Sequence, residues 1–232
     1  MYAFQFSALT EKMRLPEILL NAATILLISA CAHQPDQREV IDVNGLIPIT
    51  DTRTPNARAY KAPAFDRSKY QGIYIAPTTV YSGPEAEFGN ISEENRERIA
   101  SKLTTEMRRV LGSDFTVVSG AFPKTVRLQM TLVGINQSNP VLSTAMRLTP
   151  AGLVLSAAHA ASNSPAAFTG SINMAAVAYD SETGQVLAAW QAVFSPSALN
   201  VSSGLAPLRA AELSTTRAAE AFRDYLLRTR GE

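Results

Sequence analysis

Nucleophilic, metal-binding and acid–base chemistry need thiols, imidazoles or paired carboxylates. This chain of 232 residues has one cysteine, Cys31, and two histidines, His33 and His159. A thiolate is a nucleophile and a metal ligand. One cysteine cannot close an intramolecular disulfide, and with two histidines it cannot build a zinc site of several Cys and His ligands. His159 is the histidine placed to serve as a general base, but Ala157-Ala158-His159-Ala160-Ala161 brings no acid near it to orient the ring. Asp180 with Glu182, and Glu85 with Glu87, have the spacing of carboxylate pairs, yet both pairs fall on expected turns or loops, where solvated charge is the usual state. The run Arg96, Arg98, Lys102, Arg108, Arg109 is offset by Glu93, Glu94, Glu97 and Glu106, which reads as the wet face of a helix. No phosphate loop, nucleophile elbow, zinc-protease helix or dinucleotide fingerprint is present. The expectation is a protein that is not an enzyme, with no catalytic, cofactor or metal residue.

Composition points to one ordinary globular domain, since 46% of residues are apolar and 18% charged. Lys plus Arg is 21 against Asp plus Glu 20, a net charge of +1, so no long-range field gathers nucleic acid, and none is expected as a partner.

Cys31 stands at the foot of an apolar run, Ile18 to Ala30, which Lys12 and Arg14 precede and small residues close. Basic, apolar, small is the order of a secretory signal. The run is shorter than the ~20 residues that cross a bilayer as a helix. Met13-Arg14-Leu15 would by itself open a compact signal, so Met13 is an alternative start to Met1. Leu27-Ile28-Ser29-Ala30-Cys31 resembles the bacterial lipobox. That resemblance implies diacylglycerol on the Cys31 sulfur, cleavage before Cys31 and acylation, for example by palmitate, of the new amino group. Ala32 is not the aspartate that retains such lipoproteins in the inner membrane, which implies the periplasmic face of the outer membrane. Two or three acyl chains, at ~0.8 kcal/mol per buried methylene, hold a protein stably on a bilayer. The expected organisation is a signal peptide over 1–30, a lipidated Cys31 with a flexible tether over 31–59, and one periplasmic domain over 60–232.

Elements follow from period and punctuation. Pro35, Gly45, Pro48 and Pro55 break the tether, leaving room for one short docked strand. Gly72 to Ala76 reads as a strand, and a loop runs from Thr78 to Asn90. Ser92 caps a helix with Ile99, Leu103, Met107, Val110 and Leu111 on one face, and Gly112 closes it. Phe115 to Val118 and the alternating Val126, Leu128, Met130, Leu132 read as a hairpin. A second hairpin joins Ser171–Tyr179 to Gln185–Phe194 through Asp180-Ser181-Glu182-Thr183-Gly184. The last helix, about 206–230, carries Leu213, Phe222, Tyr225 and Leu226 on one face and ends in cations. The fold class expected is α+β, an antiparallel sheet of about four to five strands with two helices packed on one face. Ser138 to Gly170, rich in Ala and Ser with Arg147 as its one charge, is a segment that must pack or bind something.

Tyr70 to Pro77 ahead of an acid-capped helix, the Thr125 to Ile135 strand, and Gly170 to Phe194 with Asp180 and Thr183-Gly184 at its turn resemble the bacterial lipoproteins of the domain of unknown function 3313. The resemblance covers most of 60–230 and implies a lipidated envelope location without any assigned activity. The acidic residue usual on the strand before the turn is replaced by the apolar Met174-Ala175-Ala176-Val177, which points to a more buried strand. The leading expectation is a lipid-anchored binding or structural protein whose partner is an envelope protein or peptidoglycan. The alternatives are an envelope hydrolase with carboxylates around Pro77 to Asn90, and a carrier of a small apolar ligand with a cavity beneath Ser138 to Gly170.

Overall fold

The structure, a computed structural model, describes residues 40–49, 54, 57–137, 170–196 and 208–228. The chain divides into a unit Met1–Asp36, outside the described residues, and a unit Gln37–Glu232. Cys31, His33, His159 and residues 138–169 therefore lie outside the described residues.

Three long strands form the centre of the Gln37–Glu232 unit: β6 (Thr125–Asn136), β7 (Ser171–Asp180) and β8 (Val186–Phe194), each antiparallel to the next. Five shorter strands extend them: β1 (Ile47–Ile49), β2 (Arg58–Lys61), β3 (Gly72–Ile75), β4 (Thr79–Val80) and β5 (Val117–Val118). The order is β1-β2-β8-β7-β6-β3-β5 in one eight-stranded sheet, with β4 also paired to β6. β3 is parallel to both β5 and β6, and β4 is parallel to β6.

This corrects the expectation of four to five antiparallel strands, because the sheet has eight strands and is mixed. It also corrects the first hairpin. β5 pairs with β3 through Ile73↔Val117, while β6 pairs with the other edge of β3 through Ile73↔Val126. A parallel pair needs a crossover, and the helix α1 (Glu93–Leu111) supplies it between β3 and β5. β5 is only two residues long, so the short return to β6 spans two strand spacings, about 10 Å. Lys124 takes φ 58 to complete that return.

The hairpin of β7 and β8 is present, in register from Ile172↔Phe194 to Ala178↔Ala188, with a register shift before Tyr179↔Val186. Ile47–Ile49 is a docked strand within the stretch read as a tether, and β2 fastens it to β8 through Ala59↔Trp190.

Alternation sorts the sheet into two faces. One carries Leu128, Met130, Leu132, Ile172, Met174, Trp190 and Phe194 and is covered by α1 and by α2 (Arg209–Arg228). Ile99, Leu103, Met107, Val110 and Leu111 are the buried face of α1, and Ser92 accepts from the Asn95 N–H at its start. In α2 the buried positions are mostly small, including Ala210, Ala211, Ser214, Ala218 and Ala219, and Phe222 is the large one. Small residues let one helix lie close against the other, and Arg98 pairs with Glu212 across them at 3.5 Å. On the opposite face Ile41 packs with Val133, Ala175 and Ala189. With both faces covered, Ser171 to Ala176 are all buried, which is the structural meaning of the apolar run at 174–177.

Candidate functional site

A cleft of about 1010 Å³ opens where α2 no longer covers the sheet. Alternation puts Ala176, Ala178 and Ala188 on its floor, and these side chains are too short to fill the space beneath the end of α2. Trp190, Phe222, Tyr225, Phe65, Phe115 and Tyr70 supply aromatic walls. Trp190 is buried between Phe194 and Phe222, with ring centroids 5.3 Å away in each case. Among the described residues its indole N–H has no hydrogen-bond acceptor.

One wall is a strap, Pro63 to Tyr70, with a single 3-10 turn at Arg67–Lys69 that Asp66 caps through the Ser68 N–H. The Arg67 guanidinium donates to the Leu226 carbonyl at 2.8 Å and lies 4.7 Å from the centre of the Phe115 ring. A cation on a carbonyl of the last helical turn satisfies an acceptor that the helix itself leaves open. The Tyr70 hydroxyl donates to Asp180 at 2.8 Å, tying the strap to the turn between β7 and β8.

Asp180 explains its own turn. One carboxylate oxygen accepts the N–H groups of Glu182 and Thr183, the other takes the Tyr70 hydroxyl, and Gly184 closes the turn at φ 72. The Thr183 N–H, then Tyr70, hold the Asp180 carboxyl below its ordinary pKa. Those three bonds are what this carboxylate does here: it positions chain. Burial, then the Asp180 carboxylate, pushes the Tyr70 phenol up to about 12. A raised phenol favours the neutral form in the folded state, so its contribution to stability is present below pH ~10 and is lost as pH rises from there through about 12. The Asp180 contribution has the opposite sense, being present above pH ~4 and lost as pH falls through its lower folded value. Of the seven tyrosines, Tyr70 is expected to ionise late in an ultraviolet titration, and Asp180→Asn to lower its pKa part of the way, because burial, the larger cause, remains. An unchanged titration in that variant would break the assigned link.

In the other carboxylate pair, Glu85 is engaged through its side chain and Glu87 through its backbone. Glu85 accepts the Tyr81 hydroxyl, and the Glu87 backbone bridges to β6 on either side of Gly134. In the Pro77–Asn90 loop, Thr78 donates its N–H to the Thr104 hydroxyl at 2.8 Å. The basic run on α1 is less uniformly wet than expected: Arg96 donates to the Ile91 carbonyl and Arg108 to that of Ile75, both at 2.8 Å. Lys102 and Arg109 pair with Glu106. No group of three or more His, Cys, Asp or Glu able to hold a metal occurs among the described residues, and none of their helices is long and apolar enough to cross a membrane.

Sequence reasoning missed this cleft. The cavity expected beneath Ser138–Gly170 rests on residues outside the described ones; β6 ends at Asn136 and β7 begins at Ser171. The cleft sits at the other end of those strands, ~23 Å along β7 at Ala178.

A family model described as "Protein of unknown function (DUF3313)" matches residues 37–222, which includes every strand, the strap and α1. The chain belongs to that family. Among solved structures it is similar to two of the PelC dodecamer from Paraburkholderia phytofirmans, each with TM-score 0.37 and 9% identity. One likeness covers 72% of this chain and 95% of that one, the other 71% and 95%. No curated protein matches. Within this DUF3313 chain, the Asp-x-x-Thr-Gly turn that carried the resemblance is the fastening of strap to sheet.

Proposed function

We propose that this protein is a lipid-anchored binding protein of the bacterial cell envelope, held at Cys31 and carrying an apolar ligand in the cleft. The anchor rests on the lipobox-like Leu27 to Cys31. The ligand rests on one observation: an aromatic-walled cleft of about 1010 Å³ with an alanine floor. Small-molecule sites are concave and largely apolar with a few polar groups at fixed places. Here the polar groups are carried by the strap and its neighbours.

Trp190 is the single tryptophan of the chain and lines this cleft, so its fluorescence reports occupancy without a label. The full-length protein, reconstituted in phosphatidylcholine vesicles, should lose Trp190 emission when a brominated long-chain alcohol is added. Ala178→Leu, which fills the floor, should weaken that quenching by at least fivefold. Equal quenching in wild type and Ala178→Leu, or none in either, would remove the cleft as the ligand site.

A further inference from the structure

The cleft has a direction that its volume does not convey. Register places Ile47, Lys61, Ala188, Ala178 and Leu128 side by side on five neighbouring strands. All five are on the face of the sheet that α1 and α2 pack against, at the end that α2 does not reach, and the last four line the cleft. From β2 to β3 the floor crosses four strand spacings, ~19 Å. It is a trough across the strands, with alanines at its middle and aliphatic side chains of β6 and β3 at its inner end. Ile47, 47% exposed on the edge strand, carries the apolar surface beyond the outer end.

Lys61 interrupts that apolar row near its outer end. The carboxylates of the lining are already engaged: Asp66 with the N–H and hydroxyl of Ser68, and Asp114 with the Ser113 hydroxyl and, at 3.9 Å, Arg223. Arg67 is committed to Leu226 and Phe115. Lys61 is exposed and has no ion pair among the described residues. A cation at the end of a row of apolar side chains complements a molecule with one long chain and one negative end.

Building on the cleft reading above, we infer that the ligand is a single-chain anionic amphiphile. Its carboxylate or phosphate pairs with the Lys61 ammonium, and its alkyl chain lies across β8, β7 and β6 towards Ile73. The Lys61 stem covers apolar surface while its ammonium stays at the water boundary, so chain and head are recognised by adjoining parts of one row.

The test compares brominated palmitate with the brominated long-chain alcohol as quenchers of Trp190 in the vesicle-reconstituted full-length protein. Palmitate should reach half-saturation at lower concentration. Lys61→Ala should raise that concentration roughly fivefold and Lys61→Glu tenfold or more, in keeping with a part-exposed ion pair and its reversal. Neither variant should change quenching by the alcohol, which also shows that the variants are folded. A brominated long-chain phosphate monoester in place of palmitate separates the two head groups: the one with the larger Lys61 dependence is the better match. Palmitate and alcohol that quench alike in all three proteins would overturn the anionic head while leaving the cleft reading intact. Absence of quenching by any chain would overturn both.

Discussion

Cys31→Ser should abolish incorporation of labelled palmitate and leave the leader uncleaved at this position. The thioether carrying diacylglycerol forms on a thiolate, and a serine hydroxyl does not replace it. The lipoprotein peptidase acts on the lipidated form, so loss of the first step also stops the second. With no acyl chain, each contributing ~0.8 kcal/mol per buried methylene, membrane retention would fall to whatever the uncleaved apolar run Ile18–Ala30 provides. Metabolic labelling with gel mobility measures the first two effects, and sedimentation with membranes after high-salt or carbonate washing measures the third. Persistent label on the serine variant would place the lipid elsewhere and remove the anchor from the proposed function. Eight residues separate Cys31 from Val40, the first described residue of the sheet unit, and extended chain covers at most ~3.6 Å per residue. Lipidation at Cys31 would therefore tether Val40 to the acylated residue by at most ~32 Å of chain.

Long periodic elements are legible in the amino-acid sequence alone, and the reason is cooperative burial. Ile99, Leu103, Met107, Val110 and Leu111 repeat at helical spacing because one face of α1 is buried. The hairpin of β7 and β8 announces itself by the Gly-bearing turn that Asp180 caps. β4 and β5 are two residues each, too short for alternation to show. Their parallel pairing with β6 and β3 depends on a crossover helix, so adjacency in sequence misleads: Val117 and Val126 flank Ile73 instead of facing each other. In α2, helical spacing puts Leu213 with the core, but the buried line runs through alanines, whose role is visible only when α1 is in place.

The cleft is hidden for a related reason. Its lining comes from β1, β2, the strap, β3, the Asp114–Thr116 segment ahead of β5, β6, β7, β8 and α2, so no local motif contains it. What makes it is absence of side-chain volume at Ala176, Ala178 and Ala188, and alanine in a strand signals nothing by itself. One signal does exist: a lone tryptophan at 190 amid Ala188, Ala189 and Ala192 sets a large side chain among small ones. Lys61 carries no signal either, because only the register shows it between Ile47 and Ala188.

The largest expected effect on stability comes from a position with no part in the cleft. Gly134→Ala should destabilise the fold strongly, because a Cβ there would stand 2.7 Å from the Glu87 Cβ and 2.9 Å from the Glu87 carbonyl oxygen. Glu87 cannot step aside freely. Its N–H donates to the Val133 carbonyl at 3.0 Å and its own carbonyl accepts from Ile135 at 2.9 Å. These bonds bracket the register shift of β6 against β7 between Leu132 and Gly134, and Val133 and Ile135 on either side are buried. The added methyl must therefore push the Pro77–Asn90 loop away from the strand or shift a strand buried on both faces. Overpacking of this kind costs about 1–3 kcal/mol, and each backbone bond given up adds about 1 kcal/mol. For a unit of this size about 3 kcal/mol corresponds to roughly 6–12 °C in Tm. The clash is with Cβ and backbone, so Glu87→Ala should not relieve it, whereas Glu87→Gly in the same chain should restore part of the loss. Thermal unfolding of the full-length protein followed by circular dichroism reads all three. A Gly134→Ala protein melting with the wild type would mean that loop and strand part at little cost. The register shift would then have no need of glycine.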